Sequence, residues 1–338
     1  MTRTRRAYAA ASLALLLAGC NRFQNSFGGD GSASAHFVSL FTIFLVVTGI
    51  SYALVIVFLV AGLIRRGDRT HTVEAGTHHE THPVLRTGLI GWGAFIVIGL
   101  AVLAFASFLT DRSDARPPRE SQVSIKVTGN QWWWNVEYLG PTPDLNIRTA
   151  NELHLPVGVP VRIRLESSDV IHSFWVPNLA GKQDLIPGRV NDIMFVPRRM
   201  GLFRGQCAEF CGTQHANMAL TVQVESRDDF SRWWAAQLRP ATPPRTPEAL
   251  AGYRFVTSRQ CSSCHAIAGT PAGGRVGPDL THLASRRTIA AGALPMSEGN
   301  LYGWVADPQS QKPGTKMPTI GLDAQQLHAV VAYLEGLK

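Results

Sequence analysis

Two long apolar segments constrain the fold of this chain more than any other feature of its sequence. Phe37–Ile64 and Gly88–Leu109 contain no Asp, Glu, Lys, Arg or His. Each segment reaches the ~20 residues that a helix needs to cross a lipid bilayer. A buried helix of a soluble protein is the alternative, but the occurrence of two such segments disfavours it. We therefore predict a transmembrane helix hairpin over residues 35–112.

The charges around the hairpin favour one orientation. Loops rich in Lys and Arg face the cytoplasm, and the connecting loop contains Arg65, Arg66, Arg69 and Arg86. The difference in positive charge between the two sides of the membrane is modest, because the second segment is followed by Arg112, Arg116 and Arg119. We therefore expect the start of the chain and its long C-terminal part on the outer face. The loop also contains His71, His78, His79 and His82, which we interpret as part of a solvated polar segment, with metal capture as the alternative.

The first 20 residues combine a basic start, a short apolar run and small residues before Cys20. The run is too short to span a bilayer, and the pattern is typical of an export signal. The stretch Leu17-Ala18-Gly19-Cys20 resembles a bacterial lipobox, in which the cysteine becomes the lipidated first residue. We predict a lipoprotein-type signal peptide over residues 1–20. An ordinary signal helix that ends in a chance cysteine is the alternative.

Length and composition agree with a multidomain membrane protein. The 338 residues are enough for two domains of ordinary size beside the hairpin. Hydrophobic residues make up 45% of the chain and charged residues only 17%, which indicates that part of it lies in lipid. The net charge of +8 raises the question of nucleic acid, but the basic residues form no patch interleaved with aromatic residues. We predict no nucleic-acid partner.

The sequence pattern changes twice beyond the hairpin. Residues 119–226 include the segments VSIKVTGN, HLPVGVPVRIRLES and RVNDIMFVP, which alternate apolar and polar residues between Gly and Pro. This pattern is typical of a small antiparallel sandwich or barrel. Residues 227–247 are predicted as a short helix near 228–238 followed by the Pro-rich linker RPATPPRTPEA. Residues 248–338 are predicted as an all-α domain, with helices near 248–260, 297–306 and 323–337.

A cluster of soft ligands lies at the end of the β-rich region. Cys207, Cys211, His215 and Met218 are separated by three, three and two residues and fit on one tight loop. In an exported protein, two nearby cysteines often form a disulfide, but a disulfide would not require the His and the Met. Thiolate, thioether and imidazole together are a ligand set for copper. A second imidazole is available from His172, which we predict at a turn between strands in the segment DVIHSFWVP.

The β-rich region resembles the copper domain of cytochrome c oxidase subunit II, which has a cupredoxin fold and carries the dinuclear CuA centre. The resemblance rests on DVIHSFWVP, KQDLIPGRVN, CAEFCGTQHANM and GNQWWWNVEY, together with the preceding hairpin, and it covers residues 35–235. It implies bridging thiolates at Cys207 and Cys211, and terminal imidazoles at His172 and His215. It also implies an axial thioether at Met218 and a weak ligand in the backbone carbonyl of Glu209. The Glu209 side chain would contact a magnesium ion at the border with subunit I.

Three consecutive tryptophans, Trp132, Trp133 and Trp134, form an aromatic run in the β-rich region. Alternate residues of a strand face opposite sides, so all three are not expected to be buried together. By resemblance, Trp132 lies over the copper site and is the residue at which electrons enter. Core packing, an aromatic belt at the membrane surface or an exposed docking contact are the alternatives.

The C-terminal domain contains CSSCH at 261–265, the attachment motif of c-type haem. Cys261 and Cys264 would bind the haem covalently, and His265 would be one axial ligand. A zinc site would need a second cysteine pair, and none remains once Cys207 and Cys211 are assigned to copper. A CxxC redox pair would not need the histidine. GPDL at 277–280 and GTKMP resemble a class I cytochrome c over residues 248–338. Met317 of GTKMP is the predicted sixth ligand, in preference to Met296.

The whole chain resembles subunit II of a bacterial caa-type cytochrome c oxidase, in which cytochrome c is fused to the copper domain. The resemblance implies that electrons pass from haem c through CuA to subunit I, which reduces oxygen. It implies subunits I and III as partners and cytochrome c or an upstream respiratory complex as electron donor. It also implies a location in the bacterial plasma membrane, with both redox domains on the periplasmic face. A membrane-anchored copper and haem carrier that feeds a different terminal reductase is the alternative.

Two further details complete these expectations. All five cysteines are assigned, to lipid, copper and haem, so that none is left for a disulfide. The family usually carries a Glu near the start of the second helix, at the mouth of a proton channel in subunit I. The matching stretch here, residues 82–87, reads HPVLRT, and the neighbouring acids are Glu74 and Glu80.

Overall fold

The computed structural model describes residues 23–65, 83–114, 122–258 and 260–338. The chain divides into two compact units. One is Ala35–Arg116, and the other combines Met1–Ser34 with Pro117–Lys338.

The first unit consists of two long helices, α1 (Ser32–Arg65) and α2 (Pro83–Asp114). Their apolar windows, within Ser32–Ile64 and Arg86–Arg112, have mean hydropathies of 2.8 and 2.4, and most of their large side chains are exposed. The hydroxyls of Thr48 and other Ser and Thr residues donate to carbonyls one turn earlier, so that the helices expose few unpaired polar groups. The prediction of two membrane-type helices is confirmed.

The second unit begins with a sandwich of two five-stranded sheets. One sheet has the order β3-β2-β1-β5-β8 and the other β4-β10-β9-β6-β7. The strands are β1 (Val123–Asn130), β2 (Trp133–Tyr138), β3 (Ile147–Ala150), β4 (Glu152–Pro156), β5 (Val161–Ser167), β6 (His172–Trp175), β7 (Gln183–Leu185), β8 (Asn191–Phe195), β9 (Gly201–Cys207) and β10 (Ala219–Glu225). The pairs β1–β5 and β4–β10 are parallel, and the other pairs are antiparallel.

The predicted alternation of side chains is present. Every second residue of β1 is buried, and β2 continues this pattern with Trp134, Val136 and Tyr138 fully buried. These side chains contribute to one core together with residues of the facing sheet such as Phe174 and Leu220. The helix α3 (Arg227–Gln237) follows β10 and packs Phe230 and its two tryptophans against Tyr138. The cupredoxin-like fold class is therefore confirmed.

The C-terminal part is a helical domain with a core of its own. Its helices are α4 (Pro247–Ser258), α5 (Gln260–Cys264), α6 (Glu298–Ala306), α7 (Pro308–Gln311) and α8 (Ala324–Leu334). Helices α4 and α8 cross at Gly252, where a Cβ would lie 1.9 Å from the carbonyl oxygen of Ala329. Only glycine permits this close approach. The all-α prediction is confirmed, apart from one short pair of strands, β11 (Thr288–Ile289) and β12 (Leu294–Pro295).

Candidate metal centre and haem pocket

One end of the sandwich gathers the predicted copper ligands. His172 is the first residue of β6, and Cys207 is the last residue of β9. The prediction of a turn at His172 is therefore wrong. The strands β6 and β9 pair through Phe174 and Cys207, which brings the two ligand-bearing segments side by side. The loop between β9 and β10 supplies the other four positions, which are Glu209, Cys211, His215 and Met218.

The six groups converge within a few ångströms. The sulfurs of Cys207 and Cys211 lie 3.8 Å apart, and both residues are free thiols. The Nδ1 atom of His172 lies 3.8 Å from the first sulfur, and Nδ1 of His215 lies 3.6 Å from the second. The Met218 sulfur is 3.9 Å from Cys211. The arrangement thus places one imidazole beside each thiol.

The remaining predicted ligand, Glu209, contributes through its backbone. Its carbonyl oxygen lies 3.2 Å from the sulfur of Cys207, while the residue as a whole is exposed. The carbonyl and the side chain are therefore available to different partners. The possible ligand atoms of His172, Cys207 and Cys211 all lie within 4.8 Å of one another.

Neighbouring groups fix the orientation of the cluster. Nε2 of His172 lies 2.9 Å from Oδ1 of Asp169, and a carboxylate only accepts hydrogen bonds. Nε2 therefore carries a proton, and this hydrogen bond holds the ring with Nδ1 facing Cys207. The carbonyl oxygen of Cys211 accepts from Nε1 of Trp132 at 2.9 Å and from Nε2 of Gln131 at 2.8 Å. The two side chains of the β1–β2 turn thus hold the loop between β9 and β10 in place.

The electrostatics of the cluster favour one thiolate. A hydrogen bond from Cys211 lowers the pKa of the Cys207 thiol, and a hydrogen bond from His172 lowers it further. Burial acts in the opposite direction but is outweighed. The hydrogen bond to Cys207, together with burial, raises the pKa of Cys211. Burial alone would lower the pKa of His172, but its hydrogen bonds to Cys207 and Asp169 raise it. Because the thiolate is the form that binds metal, the cluster is prepared for a soft cation.

Trp132 lies beside this cluster and is only 8% exposed. Trp134 is fully buried and Trp133 is partly exposed, as the alternation along a strand predicts. The idea of an exposed docking contact at Trp132 does not fit this burial, because the indole faces the interior of the unit. Trp132 also lines a cavity that it shares with the helical domain.

A cavity of about 590 Å³ lies in the helical domain, and its volume is in the range of ligand-binding pockets. Its lining includes the two thiols of Cys261 and Cys264, His265 and Met317, and on the sandwich side Trp132 and Trp133. Nδ1 of His265 lies 2.7 Å from the carbonyl oxygen of Pro278. This carbonyl can only accept, so the Nε2 lone pair remains available for a metal.

The surroundings of His265 and Met317 fit a planar prosthetic group. A Cβ at Gly277 would lie 2.7 Å from the imidazole of His265, so glycine leaves room for the ring at this point. Burial lowers the pKa of His265, which keeps the imidazole neutral and able to bind a metal. Met296 packs against the helical core and is absent from the cavity lining, which favours Met317 as the sixth ligand.

Sequence reasoning missed several residues that position these groups. Asp169 orients His172, and its own pKa is about 2, because hydrogen bonds from His172, from the Gln131 N–H and from Lys316 outweigh the effect of burial. Gln309 braces the loop that carries Met317. Asp169 lies within the motif that contains His172, so proximity to a ligand was the signal available for it. The predicted Cys20, the histidines of the connecting loop, and Glu74 and Glu80 lie outside the described residues.

Comparisons with known proteins agree with this architecture. The family described as cytochrome c oxidase subunit II, periplasmic domain, matches residues 144–225, and the cytochrome c family matches residues 249–338. The chain is 31% identical over 284 residues to cytochrome c oxidase subunit 2 of Alkalihalophilus pseudofirmus, covering 84% of this chain and 81% of the relative. It is 34% identical over 265 residues to cytochrome c oxidase subunit 2 of Bacillus sp. strain PS3, covering 73% of each.

A solved structure is also similar to part of the chain. The periplasmic domain of subunit II of cytochrome oxidase from Bradyrhizobium japonicum is 31% identical to this chain, with a TM-score of 0.34. The match covers 36% of this chain and 96% of that domain.

The fold and the two sites define a class, the membrane-anchored redox proteins that join a cupredoxin-like domain to a c-type cytochrome domain. More specifically, the chain belongs to the cytochrome c oxidase subunit 2 family. It is therefore a subunit of an oxidoreductase complex of the respiratory chain. Its cytochrome c domain implies haem c, and its subunit II domain implies copper.

Proposed function

We propose that this chain is the subunit through which electrons enter a caa-type cytochrome c oxidase. Electrons would pass from haem c to a dinuclear CuA centre and on to subunit I, where oxygen is reduced to water. The observation that carries this proposal is the pairing of two unbonded thiols with one imidazole Nδ1 each, at 3.8 and 3.6 Å.

The donor set fits a pair of copper ions. Cys207 and Cys211 would bridge the two ions, and His172 and His215 would bind one ion each. Met218 and the carbonyl of Glu209 would complete the set. Copper bound there would supply a reversible one-electron couple. The chain's own contribution is rigidity, because β6, β9 and the hydrogen bonds to the Cys211 carbonyl hold the ligands in place.

The pocket of the helical domain fits a covalent haem. Cys261 and Cys264 would form the two thioether bonds, with His265 and Met317 as axial ligands. Haem c supplies a reversible one-electron couple, and a thioether ligand raises its potential. Because Trp132 lines this pocket and also donates a hydrogen bond to Cys211, it lies between the two sites and is the residue at which we expect electrons to enter the copper centre.

The remaining expectations concern the setting of the subunit. The Glu209 side chain, exposed beside the copper loop, is proposed as a magnesium ligand at the border with subunit I. Subunit III and a cytochrome c or upstream respiratory complex are proposed as further partners. Both redox domains are proposed to lie on the outer face of the bacterial plasma membrane, with Cys20 lipidated. The proposed domain limits are 119–226 for the CuA domain and 248–338 for the cytochrome c domain.

Metal analysis and electron paramagnetic resonance on the purified full-length protein test the copper assignment. We expect two coppers that share one unpaired electron, and one covalent haem. Replacing Cys207 by Ser should abolish the shared-electron spectrum while the haem stays attached, because Cys261 and Cys264 are untouched. A single copper with a four-line spectrum, or a disulfide between Cys207 and Cys211 in the metal-loaded protein, would contradict the proposal. The oxidase assignment requires copurification with a large haem–copper subunit.

A further inference from the structure

The loop that carries Met317 also contacts the copper domain through a buried lysine. Lys312 is only 2% exposed, although it carries an ammonium group. Its Nζ atom donates to three backbone carbonyl oxygens, at 2.8 Å to Trp132, 2.8 Å to Asn217 and 2.9 Å to Ala290. Two of these acceptors belong to the copper domain and the third to the cytochrome c domain, so one side chain ties three segments together.

The three acceptors match what an ammonium group needs. An ammonium group has three N–H donors and no acceptor, so three carbonyl oxygens satisfy it completely. Burial lowers the pKa of Lys312 to about 7, and the nearby sulfur of Cys211 opposes this effect. The lysine is therefore costly to bury, and this cost is offset only where all three carbonyls are in place. Such a group is sensitive to the relative position of its partners.

The same loop is braced within its own domain. The Gln309 side chain donates to the carbonyl oxygens of Thr315 at 2.7 Å and Met317 at 2.8 Å, and it accepts from the N–H of Gly314 at 3.0 Å. Because these hydrogen bonds make the loop rigid, fixing the position of Lys312 also fixes the position of Met317.

Other polar contacts between the domains are longer, uncharged or more exposed. Arg286 and Glu152 form a buried ion pair, but at 3.7 Å. Lys316, with a 61% exposed side chain, pairs with Asp169 at 2.9 Å, and Gln214 donates to the carbonyl of Pro313 at 2.8 Å. Exposed ion pairs contribute little and are screened by salt, whereas a buried donor is screened much less. Lys312 and the buried Arg286–Glu152 pair are therefore the charged contacts expected to persist at high ionic strength, and of the two Lys312 is the one next to the Met317 loop.

We propose that Lys312 is a positioning residue that docks the Met317 loop onto the copper loop and keeps the haem pocket next to Trp132. The cytochrome c domain then works as a fixed relay and does not swing on its Pro-rich linker. The consequence for electron transfer rests on the proposed function, but the docking itself does not.

The test compares full-length variants in the intact oxidase at pH 6, below the pKa of Lys312. Lys312→Met removes the ammonium and keeps the length of the side chain, and Arg254→Met removes an exposed charge on α4 as the matched control. The first readout is hydrogen exchange at the N–H of Ala219, which donates to the carbonyl of Ala291 in the other domain at 2.9 Å. We expect exchange about tenfold faster in Lys312→Met, because unpaired buried carbonyls favour separation of the domains, and no change in Arg254→Met.

The second readout is the rate of electron transfer from haem c to copper after photoreduction of the haem. We expect it to fall by about tenfold in Lys312→Met, while copper content and the haem and copper spectra stay unchanged. Damaged sites would change those spectra, whereas lost positioning would not. Unchanged exchange and an unchanged rate in this variant would overturn the proposal.

Two outcomes separate this proposal from the proposed function. If the wild-type protein shows no transfer from haem c to copper, and exchange at Ala219 still rises in Lys312→Met, the docking role holds and the electron path is wrong. If Lys312→Met does not assemble, the wild-type protein decides the question through a salt series. Exchange at Ala219 that stays constant from low salt to about 1 M supports a buried contact, and exchange that accelerates with salt refutes it.

Discussion

Replacing Gly129 by Ala is a direct test of the role of His172. Gly129 lies on β1, and a Cβ there would lie 2.7 Å from Cδ2 and 3.0 Å from Cγ of the His172 ring. Ordinary contacts of this kind begin at 3.4 Å, so the imidazole would have to retreat by about 0.7 Å. Metal–ligand distances tolerate only about 0.2 Å. The added methyl group therefore displaces this ligand beyond what a copper site accepts.

The ring has little room to move. His172 is fully buried, its Nε2 is held by Asp169 at 2.9 Å, and the Trp134 ring lies 6.1 Å away between centroids. Inserting a methyl group into a packed core costs about 1–3 kcal/mol. Disturbing the support of a metal ligand typically lowers metal affinity by about 10–100-fold. We therefore expect Gly129→Ala to fold, to keep its haem and to bind copper roughly 10–100-fold more weakly.

The assay titrates copper out of the purified protein with a competing chelator and uses the covalent haem as an internal standard. Gly181→Ala is the matched control, because a Cβ at Gly181 meets nothing within 4 Å. We expect the control to match the wild-type protein in its copper-to-haem ratio and resonance spectrum. If Gly129→Ala retained copper as tightly as the control, with an unchanged spectrum, His172 would not be a ligand of this site.

Three further changes test other parts of the account. Met317→Ala should lower the haem potential and change its visible spectrum by removing the sixth ligand, whereas Met296→Ala should do neither; the reverse result would exchange their roles. Gly252→Ala should destabilise the cytochrome c domain by about 1–3 kcal/mol, measured by thermal unfolding at the haem absorbance, because its Cβ would lie 1.9 Å from a backbone oxygen of α8. Gly299→Ala, whose Cβ meets nothing within 4 Å, should lose no stability. Because burial lowers the pKa of Lys312 to about 7, its neutral form is favoured in the folded protein, and stability should rise by about 1 kcal/mol from pH 6 to pH 8 relative to Lys312→Met. Denaturant unfolding of both proteins at the two pH values measures this difference, and equal pH dependences would contradict it.

Local patterns predicted much of this fold. The segment VSIKVTGN became β1 with the same limits, because strict alternation between a buried core and an exposed face leaves one register. The helix predicted near 323–337 is α8, Ala324–Leu334, and its start is set by the capping box of Asp323 and Gln326. His172 was placed in a turn and lies in a strand, because the short strand β6 is defined by its pairing with β7 and β9 and not by its own sequence.

The residues that support the sites were harder to predict than the sites themselves. Ligand sets are visible in a sequence because their spacing and chemistry are local, as in CSSCH and in the loop from Cys207 to Met218. Lys312 is different, since an isolated lysine near a proline is ordinarily a solvated charge. Its partners Trp132, Asn217 and Ala290 are far away in sequence, and only the folded chain brings them together.

The docked arrangement has a consequence for where an external donor delivers its electron. Trp132 is buried beneath the cytochrome c domain, whose Lys312 binds its carbonyl and whose haem pocket it lines. A soluble donor protein cannot reach an indole that is 8% exposed, whereas Val276, at the mouth of the haem pocket, is 71% exposed. Delivery at the haem pocket therefore requires no separation of the domains, whereas delivery at Trp132 would require the loss of the two hydrogen bonds that Lys312 makes to the copper domain. On the proposed electron path, an external donor would therefore contact the cytochrome c domain, because the docked domain covers Trp132.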